Sequence, residues 1–100
     1  MNDQQLTIRL ARPQDSRTLF RLAALDSAAP LTGRVLLAEL DLVPLAAVAL
    51  ESGAVVADPF RHTADAVRML RLRRYQIVRQ GGDVAPARSL LRRLVPAPAR

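Results

Sequence analysis

Between Val35 and Asp58 the chain carries three apolar runs, separated by Asp41-Leu42 and by Glu51 with the turn Ser52-Gly53. The middle run, Val43 to Leu50, is apolar on both of its alternating faces. A strand buried on both faces has to lie inside a sheet that helices cover above and below. The runs Val35 to Leu40, Val43 to Leu50 and Ala54 to Asp58 therefore read as a meander of three strands. Read as a helix, Val35 to Leu50 would still not cross a bilayer. It spans 16 residues and holds Glu39, Asp41 and Pro44, whereas a crossing takes about 20 mostly uncharged residues.

The covering helices lie on either side of this meander in the sequence. Leu6, Ile8 and Leu10 alternate with Thr7 and Arg9, the period of a half-buried first strand. Pro13 and Asp15 then open a first helix, proline because its φ suits the first turn and aspartate because it faces the positive end of the dipole. Leu19, Phe20, Leu22 and Ala23 follow at helical spacing, ending near Asp26. Ser27 to Arg34, with Pro30 and Gly33, reads as a loop with room for one helical turn. After the meander, Thr63 caps a long helix from Ala64 to Gln80, which Gly81-Gly82 terminates. Ala66, Leu70 and Ile77, with Val67 and Arg74, form one stripe, and Met69 and Leu72 lie on nearly the opposite side, so two partners for this helix are expected. The expected fold class is thus α/β in the broad sense, more narrowly α+β, with antiparallel strands.

One hundred residues, half of them hydrophobic, suffice for one domain with a real core. Phe20, Phe60 and Tyr75 are its only large rings, so that core is expected to be leucine, alanine and valine. The absence of cysteine excludes disulfides and thiolate metal sites, and His62 alone builds no zinc site. Met1 to Gln5 lacks the basic start and apolar run of a signal peptide, so a cytoplasmic protein without a transmembrane segment is expected. All 15 basic residues are arginine, and they are unevenly placed. Residues 1–60 hold five arginines against seven acids, and residues 61–100 hold ten against two. The division expected is an ordered unit over 1–80 and a mobile basic tail over 81–100, where Ser89 would cap a turn or two bearing Leu90, Leu91 and Leu94.

Thr7-Ile8-Arg9-Leu10-Ala11-Arg12-Pro13-Gln14-Asp15 resembles the opening of the GNAT superfamily of N-acetyltransferases, a strand followed by Ala-x-Pro-x-Asp at the first helix. The order strand, helix, three antiparallel strands, helix over residues 6–80 is similar to the first half of that fold. The resemblance implies a truncated acetyltransferase-like domain in which the loop after the fourth strand binds acetyl-CoA through backbone amides. The family's loop reads Gln/Arg-x-x-Gly-x-Gly/Ala, and the matching string here is Arg61-His62-Thr63-Ala64-Asp65-Ala66. Arg61, His62, Thr63, Ala64 and Ala66 are then the cofactor-binding candidates. Ala64 replaces a glycine and Asp65 adds a carboxylate, and both changes oppose pyrophosphate binding. The family's Asp-Gly hairpin turn is matched by Asp41-Leu42, where a leucine tolerates positive φ poorly, so a longer or differently shaped turn is expected. Residues for the family's fifth strand and its later tyrosine acid are not found after Gln80.

The expected function is a non-catalytic interaction or regulatory module without catalytic residues, bound metal or cofactor, working as a homo-oligomer or with a protein partner. Val55 and Val56 on an open sheet edge, with Met69 and Leu72 on the last helix, are the expected interface. Two alternatives belong to other classes. One is an acetyl-CoA-dependent N-acetyltransferase completed by dimerisation or a second subunit. The other is a binder of nucleic acid or an anionic surface through residues 68–100. Nucleic acid is not the expected partner, because Arg68, Arg71, Arg73, Arg74 and Arg79 point in several directions and only Tyr75 interleaves them. Glu39 is expected to lie at a sheet edge or to pair with an arginine, and His62 to be simply exposed.

Overall fold

The computed structural model describes residues 5–81. The expected tail, including Ser89, Leu90, Leu91 and Leu94, and the segment before Gln5 lie outside the described residues. The architecture is α+β. A four-stranded antiparallel sheet has the order β1 (Leu6–Leu10), β2 (Val35–Leu40), β3 (Val43–Ala49), β4 (Val55–Ala57). A short 3-10 turn (Pro13–Asp15) leads into α1 (Ser16–Leu25), and α2 (Ala64–Gly81) follows β4.

The period-two pattern sorts the core into two layers, one on each sheet face. Val35, Leu37, Ala47 and Val56 pack with Leu22 and Ala23 of α1. Leu36, Ala38, Ala46 and Val48 pack with Ala66 and Leu70 of α2. Both faces of β3 are therefore closed, as its doubly apolar pattern requires. At about 1.5–3 kcal/mol for each fully buried aliphatic side chain, these two layers dominate the stabilisation. The three large rings take no part, since Phe20, Phe60 and Tyr75 are all exposed. Among the described residues the fully buried core is leucine, alanine and valine, with Ile8 and Ile77 packed at its margin.

Two turns differ from expectation. Asp41 and Leu42 adopt φ of 51° and 71°, so Leu40 and Val43 are joined by a two-residue turn of the primed type. The right-handed twist of the flanking strands selects this turn, and Leu42 accepts the left-handed region because the pairing around it is fixed. The register shifts by one residue between Ala38 and Glu39, next to Pro44, which has no amide for the ladder. The resulting bulge lets the adjacent Leu45 and Ala46 both join the α2-side layer. The second turn is longer than Ser52-Gly53. Ala49 and Gly53 donate to the carbonyls of Ala54 and Ala49, each at 2.9 Å, enclosing Leu50 to Gly53. Strand β4 is correspondingly three residues rather than five, and residues 27–34 contain no helical turn.

Leu42 is 83% exposed, so its side chain recovers little for its backbone strain. A left-handed non-glycine residue costs roughly 1–2 kcal/mol, and glycine's extra chain entropy returns roughly 0.5–1 kcal/mol of that. Leu42→Gly is therefore expected to stabilise the fold by about 0.5–1 kcal/mol. The urea midpoint should rise with an unchanged slope. A lower midpoint would show that Leu42 is held by contacts rather than strained.

Candidate functional site

The loop between β4 and α2 is built on Asp58. Its amide completes the β3 pairing by donating to the Leu45 carbonyl at 2.9 Å. Its carboxylate accepts the Phe60 amide at 2.9 Å, and its carbonyl accepts the Arg61 amide at 3.3 Å. Pro59 between them presets φ for this turn. The Arg61 guanidinium lies 3.9 Å from the Asp58 carboxylate. α2 then starts, with the Val67 amide donating to the Thr63 carbonyl at 2.8 Å.

These residues frame an open groove of about 830 Å³ at the end of the sheet. Leu6, Leu40 and Leu45 line its apolar side, the last aimed there by the bulge. Asp58, Phe60, Arg61, His62, Asp65 and Ala66 line the rest. Of the five cofactor-binding candidates, Arg61, His62 and Ala66 reach the groove, whereas Thr63 and Ala64 are not among its lining residues. Ala66 is also a core residue, small because α2 rests on the sheet there. His62 is exposed. Leu6, Leu40, Leu45, Asp58 and Phe60 join the groove without any local motif that marks them as site residues. Pro44 was the signal for the bulge that redirects Leu45.

The start of α2 carries two carboxylates, each beside an arginine. Asp58 is buried beside it, and Asp65 stands in its first turn, paired on the outside with Arg68. Carboxylates here stabilise the positive helix end by about 0.3–1 kcal/mol each. They also take the place where an incoming anion would gain that energy.

A second polar cluster lies on the α1 face. Arg9 binds Asp15 through both oxygens, at 2.8 and 3.0 Å, and reaches Glu39 at 3.3 and 3.4 Å. Glu39 is thus paired with an arginine, as expected. The Arg9 guanidinium and then the Arg12 amide, 2.7 Å from the carboxylate, hold Asp15 well below the usual carboxylate range. Asp15 and then Glu39 in turn raise Arg9 above its ordinary value. Both Asp15 and Arg9 stay charged at neutral pH, so this pair tethers the start of α1 to the sheet rather than shuttling protons. Among the described residues, no three histidine, aspartate or glutamate side chains group as a metal site.

The interface candidates divide. Met69 and Leu72 are exposed. Val56 is buried under α1, which corrects its assignment to a surface, because its side chain points into the sheet's α1-side layer. Val55 is half-buried against the other layer. The β4 edge is also less open than expected. α1 ends in a left-handed turn at Ser27, φ 53°, with Ala28 and Ser27 donating to the Ala23 and Ala24 carbonyls at 2.9 and 3.1 Å. This places Asp26 to accept the outward Ala57 amide at 3.1 Å. A short edge with a blocked amide discourages strand addition.

No protein-family model, curated protein or solved structure matches this chain. No helix among the described residues is long and apolar enough to cross a membrane.

Proposed function

We propose that this chain is a non-catalytic, acetyltransferase-like interaction module that acts in the cytoplasm through a protein partner. The acetyltransferase lineage is supported by the Ala-x-Pro-x-Asp opening at Ala11 to Asp15, and by an element order that sets α1 and α2 on opposite faces of an antiparallel sheet. The observation that carries the non-catalytic reading is the pair of carboxylates, Asp58 and Asp65, at the start of α2. An enzyme of this lineage would present amides there to a pyrophosphate. Here Asp58 takes the Phe60 amide for its own turn, and Arg61 leans toward Asp58.

Calorimetric titration with acetyl-CoA tests this. The native chain is expected to bind with a dissociation constant above about 1 mM, less than about 4 kcal/mol of binding free energy. Removing the first-turn charge and the adjacent Cβ in Ala64→Gly/Asp65→Gly should strengthen whatever binding remains. Micromolar binding by the native chain, with acetyl transfer to an amine, would overturn the reading.

A further inference from the structure

Four large apolar side chains stand exposed along α2 at a constant spacing of three. Met69, Leu72, Tyr75 and Val78 are 44%, 48%, 56% and 42% accessible. Each of the first three has an arginine four residues away: Arg73 for Met69, Arg68 for Leu72, and Arg71 and Arg79 for Tyr75. Residues four apart are neighbours on a helix surface. The side of α2 turned away from the sheet therefore carries an oblique apolar ridge, centred on Leu72 and Tyr75, with guanidinium groups beside it. Arg79 lies over the Tyr75 ring, 5.6 Å from its centroid, and donates to its hydroxyl at 3.0 Å, so this part of the ridge is already ordered. Arg71 and Arg73 make no ion pair among the described residues. The opposite side of the helix is held to the sheet by Ala66 and Leu70, so the ridge lies on the side turned away from the core.

We infer that this ridge docks an acidic amphipathic helix of a protein partner, which rests on the reading of the chain as an interaction module. A ridge of spacing three fits the spacing-four groove of a second helix lying nearly parallel to it. Carboxylates flanking the apolar seam of that helix would meet Arg71 and Arg79, and Arg68 beyond its pairing with Asp65. The charge argues against a second copy, whose α2 would bring the same arginines face to face. It argues equally against residues 82–100, which carry four arginines and one aspartate. A nucleic acid would satisfy the charge but leave Met69 and Leu72 without an apolar counterpart. Each step of three turns the ridge by about 60°, so a partner helix meets neighbouring members such as Leu72 and Tyr75 rather than all four. An anionic membrane is separated from such a helix by the vesicle arm of the test.

The test uses the full chain and a fluorescent designed helical peptide with leucine at two positions of each heptad and glutamate beside them. Its lysine counterpart and phosphatidylglycerol vesicles serve as the other probes. The glutamate peptide is expected to bind with a dissociation constant below about 100 µM, and to weaken several-fold at about 0.5 M salt. Its contact should map by amide shifts to residues 68–79. Leu72→Glu and Arg71→Glu should each weaken it at least about tenfold, with unchanged circular dichroism because both side chains are exposed. Equal binding of the lysine peptide, indifference to both substitutions, or no peptide binding would overturn the proposal. So would vesicle binding or self-association that Leu72→Glu abolishes. Loss of peptide binding together with absent acetyl-CoA binding defeats the docking site alone. Micromolar acetyl-CoA binding defeats the reading of the module and leaves a positive peptide result standing.

Discussion

Leu37→Ala is expected to destabilise the domain by about 2–5 kcal/mol, the cost of lost transfer energy plus the cavity left behind. Leu37 has no solvent exposure and sits mid-strand in β2. It packs in the layer that also holds Leu22, Ala23 and Val56. Its neighbours there are mostly small or β-branched, with no aromatic ring able to swing in and fill the gap. A domain of this size has roughly 4–12 kcal/mol in total, so a large share of the folded state's margin is at stake. The melting temperature should fall by on the order of 10–30 °C. Leu72→Ala, at an exposed site on α2, serves as the comparison and should stay within about 0.5 kcal/mol. A loss below about 1 kcal/mol at Leu37 would mean that the α1-side layer is not the tight core described.

The second large effect is expected at Arg9. Arg9→Met leaves Asp15 and Glu39 without their shared partner, and both carboxylate side chains are 12% exposed. Breaking a fully buried pair costs about 3–5 kcal/mol. Arg9 itself is 29% exposed, so water screens part of this, and about 2–3 kcal/mol is expected. By contrast, removing Arg34 from Glu51, where the side chains are 69% and 53% exposed, should cost no more than about 1 kcal/mol. Acid titration separates the roles further. Asp15 is depressed in the folded state, so between its folded and unfolded values only the unfolded chain takes up the proton. Its contribution is complete above the ordinary aspartate value of about 3.9 and is lost as the pH falls through the folded value. Asp15→Asn should be less stable than the native chain at neutral pH, and the difference should narrow in acid. Chemical denaturation at a series of pH values measures both. A constant difference between the two proteins down to the acid limit would exclude the ion pair as its source.

Element types were legible because they depend on local periodicity. Alternation at Leu6, Ile8 and Leu10 marked β1, the spacing of Ala66, Leu70 and Ile77 marked the inner side of α2, and the doubly apolar run ending at Leu50 required a helix on each face. The site was only partly legible. Arg61 and His62 were picked from the loop string and do line the groove, but Leu6, Leu40 and Leu45 come from β1, β2 and β3 on the same face of the sheet. No local pattern joins residues that far apart in the chain.

The sequence by itself therefore determined the order and kind of the elements, the aliphatic character of the core and the first-turn carboxylate of α2 at Asp65, all properties of near neighbours. The tertiary structure alone decided which charges meet and which edges close. Arg9 reaches Glu39 because β1 and β2 pair in the register that sets Arg9 opposite Leu37, two residues along the same face. Asp26 closes the β4 amide because α1 ends over that edge. Leu42 is forced through a left-handed turn because β2 and β3 pair up to Leu40 and Val43. In each case the deciding quantity is a distance between segments, which register and packing set and which single-residue preferences do not contain.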